Sequence, residues 1–118
     1  MDMPIIVNDN GDISFFASIK DAELYLEVDD VYENTYEVFD RNGNVLKLDI
    51  LQNKSTFLFF PFIREHVQIS PRVPNVNKKD YLLGLLENFC KGSNIVIPEK
   101  ISLNDLIAKL INEIGFSK

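Results

Sequence analysis

The sequence predicts an α+β fold, with a mainly antiparallel sheet of about four to five strands and about three helices packed on it. Three observations predict this class. Asn42-Gly43, the dipeptide that a tight hairpin turn requires, separates two segments in which apolar and polar residues alternate. Two later segments repeat apolar residues at helical spacing. The resulting order, a helix, then a run of strands, then two helices, is the one expected of α+β proteins.

We expect one domain spanning residues 1–118. The chain has 118 residues, of which 46% are apolar and 11% aromatic. That is enough for one hydrophobic core and too little for two ordinary domains. No internal repeat or interdomain linker is visible in the sequence.

The first elements are two short strands and a helix. "PIIV" (4–7) and "ISFF" (13–16) have strand composition, and the Asn, Asp and Gly residues between them are typical of a turn. Ser18 with Asp21 three residues later resembles a helix-capping arrangement, which predicts a helix over about 18–27.

The middle of the chain predicts further strands. "YEVFD" (36–40) and "VLKLDIL" (45–51) flank the Asn42-Gly43 turn and should form a hairpin. "STFLFFPF" predicts another strand, which Pro61 confines to a sheet edge or a strand end because proline lacks an N–H donor. "EHVQIS" predicts the strand after it.

Two helices are predicted in the last third of the chain. Asn77 or Asp80 can begin the first, and Gly92 stands where a C-terminal cap belongs. Ser102 and Gly115 should begin and end the second. The residues of the second helix that should be buried are Leu106, Ile107, Leu110 and Ile114.

Several classes of site lack their sequence signals. One His and one Cys, His66 and Cys90, make a zinc site very unfavourable, and neither glycine turn fits a calcium loop. No nucleophile motif accompanies His66, and no glycine-rich phosphate loop follows a strand. We therefore predict a protein with no catalytic residues, no cofactor and no metal.

The sequence also favours a cytoplasmic protein. The lone cysteine cannot form an internal disulfide, and the segment "MDMPIIV" lacks the features of a signal peptide. The longest apolar run, "FLFFPFI" (57–63), is far shorter than the roughly 20 residues of a membrane helix. No membrane association is expected.

Charge is distributed unevenly along the chain. The net charge is −6; residues 1–50 carry twelve acids and three bases (−9), and residues 51–118 carry six acids and nine bases (+3). Residues 21–40 hold eight carboxylates and no base. Such a surface repels phosphate backbones, so direct nucleic-acid binding is not expected and a basic protein partner is favoured. The alternative is an ordinary solvated acidic face.

Residues 12–48 resemble the N-terminal region of bacterial immunity proteins of polymorphic-toxin and contact-dependent growth inhibition systems. The matching pattern is an acid, an aromatic strand, a short helix with Ala-Glu-x-Tyr-Leu-Glu, then Tyr-x-x-aromatic-Asp-x-x-Gly and an alternating Leu strand. The matching positions are Asp12, Phe15 or Phe16, Ser18, Ala22, Glu23, Tyr25, Leu26, Glu27, Asp30, Val31, Tyr36, Phe39, Asp40, Gly43, Leu46 and Leu48. They cover about a third of the chain.

The resemblance implies a cytoplasmic antidote that binds a cognate toxin C-terminal domain, in a 1:1 complex, and occludes its active site. Many such toxins are basic nucleases, which an acidic protein suits. Charge placement and the resemblance together predict a partner-binding surface centred on five carboxylates: Asp29, Asp30, Glu33, Glu37 and Asp40. Two rival functions stay open, an acidic intracellular adaptor or regulatory domain for another basic protein, and a small hydrolase that uses carboxylates with His66.

Overall fold

The described residues form a single α+β domain of five strands and four helices, which confirms the predicted class. The structure is a computed structural model that describes residues 1–57, 60–71 and 74–117, with side chains except at 54–57 and 60–62. The elements in chain order are β1 (Ile5–Asp9), β2 (Asp12–Phe16), α1 (Ile19–Tyr25), α2 (Val28–Tyr32), β3 (Tyr36–Phe39), β4 (Leu48–Phe57), β5 (Phe60–Ile69), α3 (Lys79–Gly92) and α4 (Leu103–Ile114).

A three-stranded antiparallel sheet forms the middle layer, with strand order β2-β1-β3. The β1–β2 hairpin turns at Asn10 and Gly11, which both have positive φ angles, 51° and 96°. Asn and Gly tolerate this backbone conformation better than other residues, which is why the chain reverses there. The two predicted N-terminal strands are therefore confirmed.

Each face of this sheet carries its own hydrophobic core. Ile6 and Phe39 face α3 and α4, where they pack with the buried leucines of those helices. Ile5, Val7 and Val38 face the other way and pack with α1 and the base of the β4–β5 hairpin. Because successive strand residues point to opposite faces, β1 is buried on both sides and its apolar run is continuous.

The last two strands form a separate two-stranded sheet. β4 and β5 pair along their full ten-residue lengths, from Leu48↔Ile69 to Phe57↔Phe60. The base of this hairpin packs against α1 and α2, and the molecule measures 62 × 29 × 23 Å. Its radius of gyration is 16.3 Å, against about 13.5 Å for a compact chain of this length. We call residues 51–66 the hairpin arm.

The Asn42-Gly43 prediction is confirmed for the turn but not for the strand that follows it. The N–H of Asp40 donates to the carbonyl of Asn44 at 3.0 Å, and the N–H of Leu46 donates to the carbonyl of Val38 at 2.9 Å. The N–H of Val45 instead donates to the carbonyl of Val76 at 2.8 Å. The chain leaves β3 after Leu46, and residues 44 and 45 bond to residues 76 and 77 on their other side.

The strands predicted from "VLKLDIL" and "STFLFFPF" are consequently wrong in number and pairing. The first half of the second segment continues β4, and its last residues belong to β5. Residues 58 and 59 lie outside the described chain. Pro61 lies in β5, which has only β4 as a neighbour, so its edge position was predicted correctly.

Local helix signals are largely confirmed. The hydroxyls of Ser18 and Ser102 each accept a hydrogen bond at 3.1 Å from the N–H three residues later. Asn77 accepts a hydrogen bond from the first residue of α3, but the helix includes Gly92, and Asn94 is the residue with a positive φ after it. The first predicted helix corresponds to α1, and α2 after it was not predicted.

The buried stripe of the last helix is shorter than predicted. Leu106, Ile107 and Leu110 are fully buried, whereas Ile114 is 44% exposed. In the last turn, Ile111 packs against the core instead. Gly115 ends the helix with a φ of 74°, as predicted.

Candidate protein-binding surface

Asp40 belongs to the interior of a turn, not to an exposed surface. Its side chain is 1% exposed and accepts hydrogen bonds from the N–H of Asn42 at 2.9 Å, the N–H of Asn44 at 3.0 Å and the Asn44 side chain at 2.9 Å. A carboxylate in a turn satisfies N–H groups that would otherwise have no partner. Asp40 is therefore not exposed to a partner, whereas its place in the predicted binding surface required exposure.

Glu37 is also held by the fold. Its Oε1 accepts hydrogen bonds from Asn8 Nδ2 at 2.9 Å and from the Tyr81 hydroxyl at 2.7 Å. The hydrogen bond to Glu37 raises the pKa of Tyr81, because it favours the protonated phenol. Glu37 does point away from Val38, as the strand period predicts, but α3 stands over that face of the sheet. Glu37 therefore does not project freely toward a partner.

Asp30 is half-buried and fixes the loop between α2 and β3. Its Oδ2 accepts a hydrogen bond from the Tyr36 hydroxyl at 3.1 Å, and its carbonyl accepts from the N–H and hydroxyl of Thr35 at 3.1 Å each. The Tyr36 hydroxyl in turn accepts from the N–H of Glu27 at 3.3 Å. Burial, with a further contribution from Asp30, raises the pKa of Tyr36 to about 12.

Asp29 and Glu33 are the two predicted residues that the fold leaves free. Both are exposed on or just after α2, four residues apart, and their carboxylates therefore lie on one side of it. Among the described residues, no hydrogen bond or ion pair engages either carboxylate. Like charges at this spacing destabilise a helix slightly. Nothing in the described part of the chain pairs with these two charges.

The structure does not bring the five predicted residues together. Asp29, Asp30 and Glu33 lie at α2, which stands over the same sheet face as α1. Glu37 lies on the opposite face, beneath α3, and Asp40 is inside the turn. The candidate surface therefore keeps three of the five carboxylates.

The eight carboxylates of residues 21–40 divide equally into two groups. Four accept hydrogen bonds within the fold: Glu23, Asp30, Glu37 and Asp40. Four are exposed and have no side-chain partner among the described residues: Asp21, Glu27, Asp29 and Glu33. Glu23, for example, accepts the N–H of Ile69 at 2.7 Å and ties α1 to β5.

Two residues that the sequence did not indicate adjoin Asp29 and Glu33. Tyr32, 60% exposed, donates its hydroxyl proton to Glu65 of β5. The pKa of Tyr32 is raised chiefly by that hydrogen bond, with a further contribution from the charge of Asp29. Tyr32 could have been noticed as an aromatic residue within the acidic stretch. No sequence signal could have found Glu65, which lies 33 residues away and reaches α2 only through the fold.

We call Asp29, Tyr32, Glu33 and Glu65 the acidic corner. It stands where α2 meets the hairpin arm, and it combines three exposed carboxylates with one exposed aromatic ring. Gln52, opposite Glu65 in the hairpin, also reaches the Glu65 carboxylate, at 3.5 Å. The corner can accept hydrogen bonds from Lys or Arg of another protein, and its ring can contact their apolar stems.

The side chains that an enzymatic function would need are not brought together in the described chain. His66 is exposed on the arm, next to Glu65 in sequence but on the opposite strand face. Cys90 is fully buried, and burial raises the pKa of its thiol, which disfavours the reactive thiolate. In the described parts of the chain, no three His, Cys, Asp or Glu side chains are grouped so as to hold a metal ion.

Comparisons with other proteins give no further guide: no family model, no curated protein and no solved structure matches the chain. Across the described residues, no helix is both long and apolar enough to cross a bilayer. Function is therefore inferred from the chemistry of the acidic corner and its surroundings, together with the resemblance of residues 12–48.

Proposed function

We propose that this protein is a non-enzymatic immunity protein that binds a cognate bacterial toxin domain and neutralises it by covering its active site. The observation that carries the proposal is the set of exposed carboxylates at α2, Asp29 and Glu33 above all, which have no partner within the described chain. A basic protein surface supplies the missing cations.

The energetics favour such a partner. Exposed carboxylates grouped without bases repel one another, and a cationic partner removes that repulsion on binding. Opposite charges on the two proteins also speed their encounter and disfavour wrong partners. A nuclease toxin suits this surface because its active site must attract phosphate, and its substrate-binding side is therefore cationic.

The resemblance of residues 12–48 supports a toxin rather than another basic protein as the partner. Several of the residues that carry it have structural roles: Ser18 caps α1, Glu23 ties α1 to β5, and Asp40 and Gly43 form the turn after β3. They specify an architecture, and the exposed carboxylates between them supply the binding chemistry. An adaptor for a different basic protein would use the same surface, and the partner's identity separates the two.

The experiment is to express the chain together with the toxin domain encoded beside its gene, and to measure survival of the cells and affinity of the purified pair. The test variant is Asp29→Lys/Glu33→Lys. The matched control is Glu99→Lys/Glu113→Lys, which reverses two other exposed carboxylates near α4. Each double variant changes the net charge from −6 to −2, since each reversal adds two charges.

We expect the control to protect cells and the test variant to lose protection, with affinity lower by about tenfold or more. Equal protection by both variants would indicate that the acidic stretch is an ordinary solvated face. Binding of a basic protein that is not a toxin, through the same residues, would favour the adaptor function instead.

A further inference from the structure

The face of the hairpin that packs against the helices continues, uncovered, along the arm. Alternate residues of a strand share a face, so Ile69, Val67, Glu65 and Ile63 lie in one row. Ile69 and Val67 are buried at the base, 3% and 5% exposed, whereas Ile63 is 56% exposed. Between them, Glu65 bonds to Tyr32 at the acidic corner. The row is therefore buried at Ile69 and Val67 and exposed at Ile63, and the change occurs near the end of α2.

The composition of the arm is unusual for a projecting hairpin. The longest apolar run of the sequence spans residues 57–63, from the last residue of β4 to the fourth residue of β5. Leu51, on the other face of the arm, is 37% exposed. Two-stranded hairpins are marginal alone and are normally stabilised by a further strand or a packed partner. In the described part of the chain no third strand pairs with β4 or β5, and α2 reaches the arm at Glu65.

We propose that the arm face bearing Ile63 and the acidic corner form one docking surface, and that its occupant is a protein segment in which Lys or Arg alternates with apolar residues. Asp29, Glu33 and Glu65 accept the cations, and Ile63 packs with an apolar side chain. This inference rests on the proposed function and adds the arm to the binding surface, together with the pattern of the partner segment.

Charge complementarity selects this occupant over the alternatives. A second copy of the chain docked on the same surface would place Asp29, Glu33 and Glu65 against their own equivalents, and like charges brought together oppose binding. Anionic lipids would be repelled for the same reason. A segment with cations alone would satisfy the corner but leave Ile63 exposed, which is why the apolar residues are part of the proposal.

The test uses two short peptides of equal charge, one alternating Lys with Leu and one alternating Lys with Ser. Affinity is measured by titration, and the binding site is mapped from the amide signals of the isotope-labelled full chain. We expect the Lys/Leu peptide to bind about tenfold tighter, the size of one moderate hot spot. It should shift the amide signals of Gln52, Ile63 and Glu65 as well as those of α2.

Two exposed isoleucines provide a matched pair of variants. Ile63→Ser should reduce the affinity for the Lys/Leu peptide to that for the Lys/Ser peptide, whereas Ile114→Ser, on α4 and 44% exposed, should leave it unchanged. Equal affinities for the two peptides, with shifts confined to α2, would overturn the role of the arm and leave the proposed function standing. Absence of shifts at α2 with either peptide would contradict both.

Discussion

The two ends of the acidic stretch use the same chemical group for opposite purposes. At the turn after β3, Asp40 is buried and accepts three hydrogen bonds, and Glu37 nearby accepts two. At α2, Asp29 and Glu33 are exposed and accept none among the described residues. A run of acidic residues in the sequence therefore does not by itself form an exposed acidic surface. Each carboxylate has to be judged by the donors that the fold brings to it.

The same contrast distinguishes carboxylates that stabilise the fold from carboxylates that are available to a partner. Carboxylates with donors around them stabilise the fold, and their loss should unfold it. Exposed carboxylates without donors contribute little to the stability of the fold and can weaken it, so they can be replaced without unfolding the protein. Substitutions at the two ends should consequently differ in both size and kind of effect.

The largest effect is expected at Asp40. Asp40→Ala leaves the N–H groups of Asn42 and Asn44 without their acceptor in a partly buried turn, which should lower the free energy of unfolding by about 2 kcal/mol or more. Asp29→Ala, the matched control, should change it by less than about 0.5 kcal/mol. Urea unfolding of both variants measures the difference, and similar values for the two would remove the distinction between the ends.

The next effect depends on pH and concerns Tyr36, which joins Asp30 to the core. Its pKa is about 12 in the folded chain and about 10 when unfolded. The unfolded state therefore loses this proton first as pH rises, so the stability that Tyr36 contributes is complete below about pH 10 and disappears by about pH 12.

Tyr36→Phe should flatten that alkaline loss of stability. The measurement is urea unfolding at several pH values between about 9 and 12, for the parent and the variant. Parallel curves would show that the raised pKa of Tyr36 does not contribute.

A smaller effect is expected for the hydrogen bond between Glu37 and Tyr81. A double-mutant cycle with Glu37→Gln and Tyr81→Phe should give a coupling of about 0.5–1 kcal/mol, because the bond is partly open to solvent. Zero coupling would mean that Glu37 is available to a partner after all, as the sequence suggested.

The smallest effect has the opposite sign. Glu33→Lys removes a like-charge pair and places a cation four residues after Asp29, near the end of α2. Both changes should stabilise the protein, by about 0.3 kcal/mol. The same variant should bind its partner less well. A variant that is less stable in urea would show that Glu33 serves the fold and not a partner.

Features that depend on interactions within a few residues were predictable from the sequence, whereas features that depend on distant residues were not. Ser18, Ser102 and Asn42-Gly43 act within a few residues, and the sequence predicted each of them. The role of Asp40 was also local, because an Asp two residues before Asn-Gly can accept the N–H groups of its own turn. The surrounding negative charges led instead to the prediction that Asp40 belongs to a binding surface. Glu37 depends on Tyr81, 44 residues later, and could not have been assigned from its own segment.

The β4–β5 hairpin shows the same limit. The alternation of apolar and polar residues predicted strands in this region, but it did not determine their partners, and β4 pairs with β5 and not with β3. Helix α2 was missed because it has only five residues and no side-chain cap. The acidic corner is formed by both elements, so the sequence could not include Glu65 in it.

The most direct test of the central claim is the rate at which the chain associates with its basic partner, measured at about 0.05 M and about 0.5 M salt. For the parent and for Glu99→Lys/Glu113→Lys, association should be fast at low salt and slow markedly at high salt. For Asp29→Lys/Glu33→Lys it should be at least about tenfold slower at low salt and nearly independent of salt. The same rate and the same salt dependence in all three proteins would contradict the claim that Asp29 and Glu33 contribute to binding a partner.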